Sequence, residues 1–143
     1  MAFNSIDAKA AAASIGEDGK AIYIDVRTVA EFCAGRPKGR ALNIPFVFYH
    51  PKTEAEHDND AFELVVTHHV EKTQTLVIGG DAGPRAARAA NALAAMGFSD
   101  LAVMEGGIDS WRDAELPVTG DNREGVSYVS LLTPARRAKP ADD

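Results

Sequence analysis

Short apolar runs alternate with amphipathic stretches along this chain, and the alternation sets the elements to expect. Ala21-Ile22-Tyr23-Ile24-Asp25-Val26, Thr75-Leu76-Val77-Ile78 and Leu101 to Met104 are apolar almost throughout. Runs of this kind, bounded by turns, have the form of strands buried on both faces. Leu42 to Phe46 reads as a further short strand. Asp7 to Ser14, with five alanines, reads as a short helix capped by the Ser5 hydroxyl. Thr28 to Cys33 has room for about one and a half helical turns before Gly35-Arg36-Pro37-Lys38-Gly39 breaks it. His50 to Asp60 reads as a polar loop, with Asp60 as cap for a helix from Ala61 to Val70.

A helix from Arg85 to Met96, ended by Gly97, carries Ala86, Ala89, Ala90 and Leu93 on one stripe. That stripe suits close packing on a sheet and leaves Arg88 to solvent. Glu105-Gly106-Gly107 turns into a last helix with Trp111 as its core anchor. Strands alternating with helices predict an α/β domain with a mostly parallel sheet, and no internal repeat interrupts it. The domain is expected over residues 1–119. From Gly120 the chain turns polar, with Pro134 and Pro140, so residues 120–143 read as a tail. Val126 to Leu132 is apolar enough to dock, and the last ten residues are expected to be loose.

Composition narrows the function. The chain has 143 residues, and 15 Lys+Arg against 21 Asp+Glu give a net charge of −6. An acidic balance argues against nucleic acid as partner. No apolar run approaches the ~20 residues of a spanning helix, so no membrane partner is expected. The start, Met1-Ala2-Phe3-Asn4-Ser5-Ile6-Asp7, lacks a basic region and an apolar core, which reads as cytoplasmic. One cysteine, Cys33, excludes an internal disulfide, a CxxC redox pair and a multi-thiolate zinc site. His50, His57, His68 and His69 lack metal-ligand spacing and read as solvated imidazoles; neither metal nor cofactor is expected.

The segment with the most chemical content is Gly79-Gly80-Asp81-Ala82-Gly83-Pro84-Arg85. A strand that enters a glycine-rich turn and then a helix lets backbone N–H groups converge beside the positive end of a helix dipole. Arg85 adds a fixed cation aimed at the loop. The spacing fits neither a Walker loop nor the GxGxxG order of dinucleotide folds.

This stretch resembles the active-site region of the rhodanese (thiosulfate sulfurtransferase) family, C-x-x-G-x-R-S/T. Gly83 and Arg85 fall on the Gly and Arg of that pattern, and Gly80 falls on the nucleophile. Ile24-Asp25-Val26-Arg27 with Glu31-Phe32 resembles the family's DVR…E-F/Y segment. Gly35-Arg36-Pro37-Lys38-Gly39 with Asn43-Ile44-Pro45 resembles G-H-x-x-G-A-x-N-I-P, with one extra residue and Arg36 in place of His. Glu105-Gly106-Gly107-Ile108 with Trp111 and Leu116-Pro117 resembles E-G-G-x-x-x-W-x-x-x-G-L/Y-P. The resemblance covers about residues 4 to 119 and implies a three-layer domain. Its central parallel sheet would have about five strands, with helices on both faces.

It also implies a chemistry that this chain cannot perform in the family's way. Rhodaneses use a loop Cys as a thiolate that accepts a sulfane sulfur as persulfide. Gly80 has no side chain, Asp81 forms no stable persulfide and repels thiosulfate-like dianions, and Ala86 replaces the Ser or Thr. A phosphatase class that resembles rhodaneses has one more residue between Cys and Arg; counting from Gly79 meets that spacing, again without a nucleophile. The expected function is an inactive rhodanese homology domain, a binding or regulatory module. Its ligand would be a small anion, or an acidic or thiol-bearing segment of a partner protein. The site would be Gly80, Asp81, Ala82, Gly83, Pro84 and Arg85, with Asp25, Arg27, Gly106, Gly107 and Trp111 as its frame. Asp25 and Arg27 read as a structural ion pair or turn contacts. The alternative is a sulfane-sulfur carrier that uses Cys33 or a partner's thiol, against the plainer reading of Cys33 as a small buried filler.

Overall fold

The computed structural model describes residues 3–138. Its centre is a five-stranded sheet, all parallel, in the order β1 (Asn4–Ile6), β8 (Leu101–Met104), β7 (Leu76–Gly79), β2 (Ile22–Asp25), β4 (Ala41–Asn43). The period of two along each strand divides the core between two faces. Ile24 and Ile78 point to one face, where α3 (Phe62–His69), α4 (Arg85–Ala95) and α6 (Tyr128–Ala138) supply Val66, Leu93 and Leu131. Tyr23 and Val77 point to the other, against Ala11 and Ile15 of α1 (Ala8–Ile15) and Trp111 of α5 (Gly107–Asp113). The three-layer α/β architecture and the parallel sheet are as the sequence implies.

α2 (Val29–Ala34) follows β2 and is closed by a full capping box between Thr28 and Glu31. β3 (Arg36–Pro37) pairs antiparallel with β9 (Val118–Thr119), and β5 (Val47–Tyr49) pairs antiparallel with β6 (Glu56–Asp58).

Several expectations are corrected. Ser5 lies in edge strand β1, and Asp7 caps α1 by accepting the Ala10 N–H at 2.8 Å. Both side chains are competent caps; pairing of β1 with β8 decides between them. Residues 50–60 are not all loop: β6 closes a hairpin whose Glu56, His57 and Asp58 are exposed and show no apolar alternation. Asp60 caps nothing. Buried Asn59 instead accepts the Ala61 N–H and donates to the Pro45 carbonyl and the Tyr128 hydroxyl. Residues 134–138 are not loose either, because α6 runs through Pro134 to Ala138. Residues 139–143 lie outside the described residues.

Tyr128, Leu131 and Ala135 of α6 are buried in the same cluster as the sheet residues. Leu131→Ala should therefore destabilise the whole domain by about 2–4 kcal/mol in one cooperative transition. Urea denaturation followed by circular dichroism checks this; an unchanged midpoint would show that α6 only rests on the surface.

Candidate functional site

The C-terminal ends of the central strands meet in register, Asp25 opposite both Gly79 and Asn43. In open parallel sheets this edge is where ligands bind. Here it is built first from a buried ion pair. Arg27 donates through Nε to Asp25 Oδ1 (2.9 Å) and through Nη2 to Oδ2 (2.7 Å), and its backbone N–H bonds Oδ1 as well. Nη2 also reaches the Gly35 carbonyl, so the pair holds the end of α2 against the sheet. Asn43 Nδ2 donates to the carbonyls of Asp25 and Arg27. Burial pushes the Asp25 carboxyl up despite Arg27. Asp25 and Arg27 thus form a buried ion pair, and Asn43 bonds the backbone of both.

The loop leaves β7 at Gly79, against which the Tyr23 hydroxyl is packed; a Cβ at 79 would lie 1.6 Å from that oxygen. Tyr23 is fully buried and its hydroxyl has no partner among the described residues. Gly80 is different. A Cβ there would meet Ala86 and Val26 at 3.6–3.7 Å, ordinary contact distances. From the other side the loop is buttressed by α5. The Ile108 N–H donates to the Gly80 carbonyl at 3.0 Å. Gly107, at φ +61°, comes so close that a Cβ would lie 2.4 Å from the carbonyl oxygens of Gly80 and Asp81. Trp111, buried, fixes this helix by donating to the Pro117 carbonyl at 2.8 Å.

Asp81 turns back into its own loop. Oδ1 accepts the Gly83 N–H at 2.9 Å and Oδ2 accepts from Arg85 Nη2 at 2.9 Å. Arg85 does not extend a free cation into a cavity, as the sequence suggests. It makes a bidentate pair with Glu31 across the loop, both bonds at 2.8 Å, and its guanidinium lies over the Tyr49 ring. The Glu31 carboxyl is drawn down to about 2, mainly by Arg85 and further by its bonds to Thr28. Burial pushes Asp81 up, but the Gly83 N–H and Arg85 outweigh it and hold the carboxyl below its usual range. Arg85 is in turn raised, chiefly by Glu31. Ala82, Gly83 and Pro84 remain exposed. Two carboxylates face one guanidinium, so the loop's charge is already compensated by this chain.

Glu31 and Asn43 are the residues that motif matching quoted but gave no role. The Thr28-x-x-Glu31 spacing was a readable signal of a capping box; its second task, holding Arg85, depends on the fold. Arg88, assigned to solvent, pairs with Glu56 of the hairpin at 3.0 Å. Cys33 is half-buried rather than a core filler, and its Sγ accepts from Asn122 Nδ2 at 2.9 Å. It lies two residues from Glu31 on α2, roughly 200° around the helix and so on the side away from the loop. His69 contacts the Leu131 carbonyl, while His50 and His57 are exposed. Among the described residues no three His, Cys, Asp or Glu side chains converge as metal ligands.

A parallel sheet with a strand–loop–helix cradle at its C-terminal edge, buttressed by a second glycine turn, is an open α/β domain with its candidate site at that edge. The rhodanese-like domain family matches residues 7–114, and the chain belongs to that family. It is 33% identical over 96 residues to the senescence-associated protein DIN1 of Raphanus sativus, covering 67% of this chain and 51% of that protein. It is 27% identical over 103 residues to thiosulfate sulfurtransferase 18 of Arabidopsis thaliana, covering 71% and 74%. The chain spans about half the length of DIN1 and of two further curated relatives from Arabidopsis thaliana. Among solved structures, the Alr3790 protein from Anabaena superposes with a TM-score of 0.66 at 20% identity, over 94% of each chain, which supports the fold.

Glu31 gives a pH signature of its own. A carboxyl lowered from 4.5 to about 2 in the folded state stabilises fully above pH 5 and progressively less as pH falls toward 2. Its side chain is 37% exposed, so the contribution is discounted to about 1–2 kcal/mol. Glu31→Gln should cost that much at pH 7 and roughly half or less at pH 3. Urea unfolding of both proteins between those values tests it, and a difference independent of pH would contradict it.

Proposed function

We propose that this chain is a non-catalytic rhodanese homology domain, a binding or regulatory module that does not carry sulfur on its loop. The observation that carries the proposal is the pairing of Gly80 at the nucleophile position with Asp81, whose carboxylate bonds both the Gly83 N–H and Arg85. A sulfane sulfur has no atom to bind there. An incoming small anion meets donors already engaged by this chain, and must displace Asp81 to reach them. The loop then presents Ala82, Gly83 and Pro84 as an exposed, rigidly held turn for a partner's segment, with small anions as weak competitors. The cytoplasmic placement belongs to the same proposal. Among the described residues no helix is long and apolar enough to cross a membrane. A relative from Arabidopsis thaliana is named chloroplastic, so the compartment is to be established by localising the full-length protein.

The test has two arms. In a thiosulfate:cyanide assay, wild-type protein should form thiocyanate no faster than a protein-free blank. In thermal shift against thiosulfate, sulfite, sulfate and phosphate, Asp81→Ala should gain stabilisation over wild type in proportion to ligand excess, and Asp81→Ala/Arg85→Ala should lose that gain. Turnover above the blank, or equal shifts for wild type and Asp81→Ala, would overturn the proposal.

A further inference from the structure

A cavity lies away from the loop, beside edge strand β4. Its volume is about 450 Å³, within the range of small-molecule sites. One wall is β4; the other is the chain after β9, where the Val126 carbonyl accepts the Asn43 N–H and closes the far end. Ile22, Leu42 and Val126, all half-buried, give it an apolar floor. Arg36, Arg40 and Arg123 supply its charge, and no acidic side chain lines it among the described residues.

The three guanidiniums are unequally compensated. Arg36 is buried, and its bonds run only to carbonyl oxygens, those of Asp121, Pro37 and Gly39. Its guanidinium also lies over the Phe32 ring, but no carboxylate bonds it directly; burial lowers its pKa, partly offset by the nearby Asp121 charge. Arg40 is exposed and donates to the Gly19 carbonyl, again without a carboxylate. Arg123 pairs with Asp121, the one carboxylate bonded to any of the three. Arg85 and Arg27, by contrast, are both matched by carboxylates. In a chain of net charge −6 this cavity is a local excess of positive charge over an apolar floor.

We propose that this cavity binds a small amphiphilic anion, a flat apolar body bearing one sulfonate, carboxylate or phosphate head. The head would be taken by Arg40 and Arg123 with Arg36 behind them, and the body would lie on Ile22, Leu42 and Val126. Such a ligand supplies the counter-charge that Arg36 and Arg40 lack and covers the apolar wall. The site is independent of the sulfurtransferase loop and does not rest on the function proposed for it.

Titration of the full chain with naphthalene-2-sulfonate, followed by amide NMR and calorimetry, tests this. Saturable binding is expected, with shifts centred on Arg36, Leu42 and Val126. Neutral naphthalene-2-sulfonamide and inorganic sulfate should each bind at least roughly tenfold more weakly, lacking the head's charge and the apolar body respectively. Arg40→Ala and Arg123→Ala should each weaken binding roughly fivefold, whereas Arg85→Ala should leave it unchanged. These two arginines are exposed, so the variants avoid the folding risk of replacing Arg36. No saturable binding, equal affinity for the sulfonamide or sulfate, shifts centred on residues 80–85, or indifference to both arginine variants would overturn the proposal.

Discussion

The site depends on Arg85 being held between two carboxylates. Glu31 reaches it from α2 with two bonds and Asp81 reaches it from within the loop with one. Because Glu31 is also the second half of the capping box that starts α2, a single side chain couples the helix after β2 to the loop after β7. An arginine fork matched this way has little freedom, which is the condition for a loop that keeps one shape without a ligand. The same pairing balances the guanidinium charge at the loop, so its order and its charge compensation have one cause.

Below it, Asp25, Arg27 and Asn43 tie together the ends of β2 and β4 and the close of α2. From the opposite side Gly107 presses on the loop's carbonyls, at a distance only glycine allows. These supports hold the loop around position 80, where a Cβ would meet Ala86 and Val26 at ordinary contact distances.

How much of this the chain announces follows from burial. β8 is legible to the residue and β2 and β7 nearly so, because both faces of these strands are covered and their runs are continuously apolar. β1 and β6 are missed because they sit at edges with mostly exposed, polar side chains, where pairing alone makes the strand. The extent of α6 is hidden by Pro134, which marks a break in isolation but is carried through by packing of Leu131 and Ala135 on either side. At the site, the motif residues and the lack of a nucleophile can be read directly. The direction in which Arg85 points cannot. It depends on Glu31, 54 residues away in sequence and adjacent only once the sheet has formed.

If the loop lacks only a sulfur acceptor and is closed by its own carboxylate, supplying a thiol and removing that carboxylate should give it sulfur uptake. Intact mass after exposure to thiosulfate tests it most directly, comparing wild type with Gly80→Cys/Asp81→Ala. A thiolate at position 80 attacks the outer sulfur of thiosulfate, forms the S–S bond of a persulfide and releases sulfite. The double variant should gain the mass of one sulfur at position 80 while wild type gains none. Sulfur appearing on wild type at Cys33, or a double variant that folds with wild-type stability and takes up no sulfur, would contradict it.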